Sequence, residues 1–242
     1  LDAAHGEWIA IVDADDWIAP ERLEKFVRFA EAQGVEMVAD LQVYRTEWGG
    51  VYQVSWATHA KPPKAPRRYT LEQVIAAHPS FKPLIRRAFL NEKQIRYPTT
   101  IRIGEDYAFY VEVLLKGGRF ALLPEPMYYY RVRPGTTVTR YDVLDERRKA
   151  MEYLLQLPET TPRIAGLLRR AYQRDRAYAL YPQFARSVKR GDWRTAARLL
   201  CESPRLAWML LAGLPSALYR RLFDREKLID PWRETIHKEV HR

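Results

Sequence analysis

An apolar run near the start of the chain ends abruptly in a cluster of acidic side chains. Residues 8–12 read WIAIV, and Asp13, Asp15 and Asp16 follow directly. Short apolar runs rich in branched and aromatic residues are typical of buried strands. Carboxylates this close together repel one another and add nothing to the stability of a fold. The pattern therefore predicts a strand in a sheet, with a positive group or ion bound where the strand ends.

Strand and helix patterns alternate through residues 1–140, and only helical patterns follow. The strand patterns cover residues 8–12, 35–45 and 119–134, the last of them broken at Pro124 and Pro126. The helical patterns begin at Pro20, Thr70 and Gly104, and the first turns Leu23, Phe26, Val27 and Ala30 toward the core. This order predicts an α/β domain over residues 1–140 and a basic, all-helical extension over residues 141–242.

The composition indicates a globular protein whose charge is uneven. Of the 242 residues 47% are apolar, and a single cysteine, Cys201, excludes a disulfide framework and a cysteine-based zinc site. Residues 141–242 carry 21 Lys and Arg against 13 Asp and Glu, whereas residues 1–140 carry 19 against 17. The basic excess fits an anionic membrane surface and, equally, a solvated helical face. We expect no nucleic-acid partner, because the basic residues are not interleaved with aromatic ones as in known modules.

Three kinds of site compete for the acidic cluster. An EF-hand calcium loop is excluded, because Trp17 and Ile18 occupy its fifth and sixth positions, where a ligand and a glycine are needed. An aspartyl-phosphate phosphatase also has Asp-x-Asp after a strand, although Gly or Thr commonly follows there. A nucleotide-sugar site needs a divalent cation to neutralise the charge that develops on a diphosphate. The residues alone leave the last two open.

Two stretches of the chain resemble family 2 glycosyltransferases, which have the GT-A fold. The first, GEWIAIVDADDWIAPERLEKFV from Gly6, is similar to the family's DXD segment with its lead-in and its Pro-x-x-Leu helix. The second, residues 82–139, carries a Lys-x-apolar-x-Arg-Arg motif, a Glu-Asp pair and a closing Tyr-Tyr-Arg. Within the family, the chain resembles bacterial exopolysaccharide transferases of the succinoglycan type. The resemblance implies a Rossmann-like GT-A domain followed by the helical extension.

The resemblance assigns the acidic cluster to donor binding. It makes Asp15 the ligand of a Mg²⁺ or Mn²⁺ ion that bridges the diphosphate of a nucleotide-sugar donor. Asp13 is expected near the donor's ribose or sugar, and Asp16 in support of either neighbour. The cluster would then be acidic because it holds a cation beneath a pyrophosphate.

The second stretch supplies the remaining roles that the resemblance implies. Asp106 is the general base, because a carboxylate within hydrogen-bond reach can take the proton of an acceptor hydroxyl as the new C–O bond forms. Glu105 is expected to orient the acceptor. Lys82 and Arg131, or Arg133 in place of Arg131, are expected to contact the leaving diphosphate, which guanidinium groups bind bidentately.

The implied activity is an inverting, metal-dependent hexosyl transfer from a nucleotide-sugar to a saccharide acceptor, lipid-linked, at the cytoplasmic face of the plasma membrane. The alternatives are a catalytically inactive membrane-associated or scaffold protein with the same fold and a Mg²⁺-dependent phosphatase. The family begins with strands that bind the nucleotide base, and this chain begins at Leu1 rather than Met. We therefore expect an N-terminally truncated domain with weak donor binding.

Overall fold

The computed structural model describes residues 1–46, 51–132 and 143–212, so Arg133 lies outside the described residues. It divides into two compact units, Leu1–Tyr172 and a second that begins at Gln173. The strands are β1 (Trp8–Ala10), β2 (Trp17–Ile18), β3 (Met37–Thr46), β4 (Val51–Ser55), β5 (Arg67–Tyr69), β6 (Leu84–Arg86) and β7 (Phe120–Val132). The helices are α1 (Arg22–Gln33), α2 (Leu71–Ala77), α3 (Arg87–Glu92), α4 (Glu105–Leu115), α5 (Val143–Gln156), α6 (Pro162–Lys189) and α7 (Trp193–Glu202). The predicted fold class is confirmed: an α/β domain precedes a helical region.

The sheet is mixed and places the acidic cluster between its two ends. Its strand order is β1-β6-β3-β7-β2, with β4 paired to β3 and β5 to β7, and β3 and β7 run parallel. Residues 11–16 connect β1 to β2 and therefore cross the width of the sheet. Among the described strands β1 pairs with β6 alone, and Ile9 is its one buried residue. This strand is thus less buried than its apolar sequence predicts.

The sequence predicts that the prolines of β7 break the strand. In the structure the strand is continuous, and the prolines only disturb its pairing. β7 continues from Phe120 to Val132, while its register against β3 shifts on both sides of Leu41, which lies opposite Pro126. Proline has no N–H to donate to a ladder, so it is accommodated where the pairing is irregular. The strand thereby carries its tyrosines, Tyr128 to Tyr130, alongside β2 and β3.

One face of α1 differs from the prediction. Phe26 and Ala30 are buried as predicted, but Leu23 is 41% exposed, and Arg22 is fully buried instead. Arg22 is tolerated inside the protein because its guanidinium forms an ion pair with Asp40 of β3, itself fully buried. Apolar periodicity cannot reveal a buried charge whose partner lies on another element.

The first compact unit includes helices that follow the predicted α/β domain. Ala150 and Leu154 of α5 and Ile164 and Leu168 of α6 belong to the same core cluster as Phe109 of α4. The predicted division of the chain at residue 140 stays a prediction. No helix within residues 1–46, 51–132 and 143–212 has the length and apolarity to cross a membrane.

Candidate functional site

The acidic loop between β1 and β2 is fastened to β7 through Asp16. The Asp16 carboxylate accepts hydrogen bonds from the Tyr128 hydroxyl at 2.7 Å and from the Arg131 backbone N–H at 2.9 Å. The same Tyr128 oxygen accepts from the backbone N–H of Asp13 at 3.1 Å. Asp16 therefore holds the loop in place with its carboxylate, and its predicted part in donor binding stays a prediction.

The negative charges of the loop act on one another. Burial raises the pKa of Asp16, the bonds from Arg131 and Tyr128 oppose that rise, and the charges of Asp13 and Asp15 add to it. Asp15 is half-buried in the turn itself. A cation bound at this loop would relieve the repulsion.

A single lysine joins the loop to the start of α4. The Nζ atom of Lys82 lies 3.0 Å from Oδ2 of Asp13 and 2.5 Å from Oδ2 of Asp106, and the side chain is 12% exposed. Burial alone would lower the pKa of Lys82, but the charges and hydrogen bonds of Asp106 and Asp13 outweigh it and raise that pKa above its usual range. Lys82 therefore keeps its positive charge and pairs with both carboxylates. Of these, Asp13 is predicted to lie beside the donor and Asp106 to act as the base.

Asp106 is held at the first turn of α4, as the sequence predicts for a residue that follows Gly104. Gly104 is the N-cap of the helix with φ 88°, a conformation that side chains disfavour. Besides Lys82, the hydroxyl of Tyr97 donates a hydrogen bond to Oδ1 of Asp106 at 2.9 Å. Both oxygens of this carboxylate are thus bound, each by a different donor.

Tyr97 is a residue of this site that the sequence did not reveal. It lies in the loop before α4, and its ring stacks on that of Phe109 with the centroids 4.2 Å apart. Burial, and then the charge of Asp106, raise the pKa of Tyr97 far above its usual range, so its hydroxyl keeps its proton. A tyrosine before a proline in a loop has no distinguishing pattern, and only the fold brings it to Asp106.

Two further residues with predicted roles lie near these groups. Glu105 is half-buried beside Asp106, and burial, followed by the charge of Asp106, raises its pKa, while Lys82 opposes the rise. The exposed guanidinium of Arg131 lies over the ring of Trp17, 5.6 Å from its centroid. The roles of Glu105 with an acceptor and of Arg131 with a diphosphate stay predictions.

A buried ion pair lies beneath the site and supports both of its halves. Arg22 donates from Nε and Nη2 to the Asp40 carboxylate at 2.7 and 3.1 Å and also donates to the backbone oxygen of Lys82. Its guanidinium lies 5.2 Å from the ring centroid of Tyr128. Burial raises the pKa of Asp40 to about 6, against the opposing charge of Arg22. The sequence carried one unused signal for this pair, namely an Asp in the middle of an apolar strand.

The oxygen ligands of the loop suit Mg²⁺ or Mn²⁺, but they do not form a complete metal cage. No group of three or more His, Cys, Asp or Glu side chains in the described part of the chain could hold a metal ion. Mg²⁺ in enzymes commonly takes one or two carboxylates together with waters and substrate phosphates. The half-buried Asp15 fits this second kind of site, in which the donor itself supplies the remaining ligands.

In this α/β fold, an acidic loop joins the two end strands of the sheet and lies near a carboxylate at the start of a helix. This arrangement matches the class of transferase that the sequence resembles. Residues 1–92 match the family model described as Glycosyl transferase family 2. The matched segment contains the acidic loop, Lys82 and the ion pair of Arg22 with Asp40. The resemblance to this family is confirmed over that segment.

Two curated relatives make the likeness more specific. The succinoglycan biosynthesis protein ExoO of Rhizobium meliloti is 33% identical over 168 residues, which are 64% of this chain and 47% of that protein. ExoU, a succinoglycan biosynthesis protein of the same organism, is 27% identical over 156 residues, 60% of this chain and 44% of its own. The chain therefore spans about half the length of the curated relatives that it matches.

Solved structures support the fold. Staphylococcus aureus TarS 1–349 in complex with UDP-GlcNAc superposes with a TM-score of 0.54 over 82% of this chain and 57% of that one, at 20% identity. The same protein in complex with UDP gives a TM-score of 0.51 at 21% identity. These neighbours confirm the predicted GT-A-like architecture.

Proposed function

We propose that this protein is an inverting glycosyltransferase that moves a sugar from a nucleotide-sugar donor to a saccharide acceptor in bacterial polysaccharide synthesis. The observation that carries the proposal is the Lys82 ammonium, which binds Asp13 and Asp106 at once. It brings the carboxylate expected beside the donor and the carboxylate expected to act as base to one place. The family match and the succinoglycan biosynthesis relatives support the same conclusion.

The proposed chemistry is one displacement at the anomeric carbon. Asp106 takes the proton of an acceptor hydroxyl, and the hydroxyl oxygen forms a bond to that carbon. The bond from the carbon to the diphosphate oxygen breaks with its electron pair, and a nucleoside diphosphate leaves from the opposite face. A single attack of this kind inverts the configuration. Lys82, positively charged and largely buried, would stabilise the departing negative charge.

Donor binding is assigned to the acidic loop. Asp15 would hold a Mg²⁺ or Mn²⁺ ion, which neutralises charge on a diphosphate when it is bound. Asp13 and Asp16 would flank the donor, and Arg131 would contact its phosphates. A nucleotide-sugar is the donor class that the TarS complex with UDP-GlcNAc supports by its structural likeness.

The acceptor is proposed to be a saccharide, lipid-linked, with Glu105 orienting it. Positions 141–242 hold 21 basic and 13 acidic residues, and this net positive charge supports contact with an anionic membrane surface. We therefore propose that the protein is peripheral on the cytoplasmic face of the plasma membrane. Both statements rest on charge and on the biosynthetic role of the relatives.

The test replaces one oxygen of the proposed base. Asp106→Asn should lower kcat by about 10²–10⁴-fold, the range that a general base contributes, and should leave nucleotide binding in place. Asp145→Asn is the matched control, because Asp145 is also an Asp in the first turn of a helix. The measurement is release of nucleoside diphosphate with an oligosaccharide acceptor.

Asp15→Ala should lower activity and should weaken the response to added Mn²⁺. Full polysaccharide synthesis in cells by both the Asp106→Asn and the Asp15→Ala variants would refute the enzyme proposal. It would favour instead the alternative of an inactive scaffold protein with this fold.

A further inference from the structure

Asp106 is bound by two donors that come from different parts of the chain. Lys82, which precedes β6, binds Oδ2 at 2.5 Å, and Tyr97, which precedes α4, binds Oδ1 at 2.9 Å. A carboxylate with one bound oxygen can still rotate about its Cβ–Cγ bond, whereas two donors on separate oxygens fix its plane. Each oxygen keeps one further lone pair that can accept a proton.

The Tyr97 hydroxyl is itself held in place. Its ring stacks on Phe109 of the same helix that carries Asp106, with an interplanar angle of 15°. Its backbone precedes Pro98, which is buried, and a residue before proline is restricted to extended conformations. The charged and titratable groups that act on it are Asp106, Glu105 and the buried Tyr110. These contacts leave Tyr97 as a neutral donor of fixed position.

We infer that Tyr97 is a positioning residue for the base: its hydroxyl, together with the Lys82 ammonium, fixes the Asp106 carboxylate in the plane from which it accepts the acceptor's proton. The inference rests on the proposed function and adds to it a residue that acts through Asp106. Its effect falls on the chemical step, because misplacing a reacting group costs rate even when binding is unchanged.

Tyr97→Phe tests this inference, since it removes one hydroxyl and keeps the ring that stacks on Phe109. We expect kcat to fall by about 10–100-fold, the cost of a small displacement of a reacting group, with the KM for the donor within twofold. Loss of packing alone would not lower kcat while leaving the KM for the donor unchanged. The melting temperature of the variant should stay close to that of the wild-type protein.

Tyr153→Phe is the matched control. Tyr153 donates to Oε2 of Glu112 at 2.6 Å, so the substitution also removes a phenol bond to a carboxylate of α4, away from the reacting groups. Its kcat should remain within twofold of wild type. An equal fall of kcat in both variants would overturn the inference, because it would trace the effect to a weakened helix.

The remaining outcomes separate the inference from the function on which it rests. If Tyr97→Phe keeps full kcat while Asp106→Asn is inactive, Tyr97 does not position the base, and the proposed function stands. If Asp106→Asn keeps full kcat, there is no base to position, and both proposals fail.

Discussion

At the scale of single residues, the buried pair of Arg22 and Asp40 connects stability to the site. Both side chains are 0% exposed, and Arg22 supports the backbone of Lys82 and the ring of Tyr128. Burying a charge costs several kcal/mol unless a partner compensates it. The geometry of the site therefore depends on a pair that touches no substrate in the proposed reaction.

We predict that Arg22→Met destabilises the protein more as the pH rises. Burial already raises the pKa of Asp40 from 3.8 to about 6, so the folded state holds the proton more tightly than the unfolded state does. The contribution of Asp40 is therefore most favourable below pH 4 and declines as the pH rises through about 6. Removing Arg22 raises the Asp40 pKa further, and each added unit costs about 1.4 kcal/mol at pH 8 and much less at pH 5.

Urea unfolding of Arg22→Met and wild type at pH 5 and pH 8 measures this difference. Arg28→Met is the control, because Arg28 pairs with Glu24 on the exposed side of the same helix, where such pairs contribute about 0–1 kcal/mol. The control should show no marked change with pH. A deficit of Arg22→Met that shrinks from pH 5 to pH 8 would contradict the assignment.

The sequence indicated part of the site at this scale. Asp13 was expected near the donor and Asp106 at the acceptor hydroxyl, and in the structure both carboxylates bind the same lysine. Lys82 was expected at a diphosphate, and in the structure it binds these two carboxylates. Tyr97 was not predicted, because its contact with Asp106 depends on the loop before α4 and on no local pattern.

At the scale of elements, the start of α4 depends on a glycine. Gly104→Ala should destabilise the protein by about 1–2 kcal/mol, the cost of a left-handed conformation for an L-residue, because φ there is 88°. An added Cβ would meet the Cβ of Ala150 at 3.7 Å, an ordinary contact, so the cost lies in the backbone and not in a clash.

Gly166→Ala is the opposite control. Gly166 lies inside α6, where alanine is favoured over glycine by about 1 kcal/mol, and its added Cβ would meet the end of the flexible Arg170 side chain at 3.5 Å. Thermal unfolding should show a lower melting temperature for Gly104→Ala and a higher one for Gly166→Ala. Shifts of the same sign would contradict the argument from backbone conformation.

Elements with strong local signals were predicted well, and their pairing was not. The helix after Thr70 has the predicted cap, with the Thr70 side chain accepting from the backbone of Gln73. By contrast, nothing local places β1 and β2 at opposite ends of the sheet order, because pairing joins strands distant in sequence. The same limit applies to β7, whose two prolines locally indicate a break.

At the scale of the whole molecule, the core of the first compact unit extends past residue 140. We predict that a fragment of residues 1–172 unfolds cooperatively, whereas a fragment of residues 1–140 does not. The shorter fragment loses five described core residues: Ala150, Leu154, Ile164, Leu168 and Ala171. One buried leucine contributes about 2–5 kcal/mol, and a whole domain has only about 5–15 kcal/mol of stability.

Denaturant titrations of both fragments, followed by near-ultraviolet circular dichroism, measure the difference. Equal cooperativity of the two would show that the helices after residue 140 are dispensable for the core. It would also favour the domain boundary that the sequence predicts.

The ammonium shared by Asp13 and Asp106 has a consequence for anyone who redesigns this protein. A substitution at Asp13 that aims to change the proposed donor would remove one of the two ion pairs of Lys82 and so alter the charge beside Asp106, the proposed base. Under the proposed function, donor choice and proton abstraction are therefore coupled, and successful variants should carry compensating changes on both sides of that nitrogen.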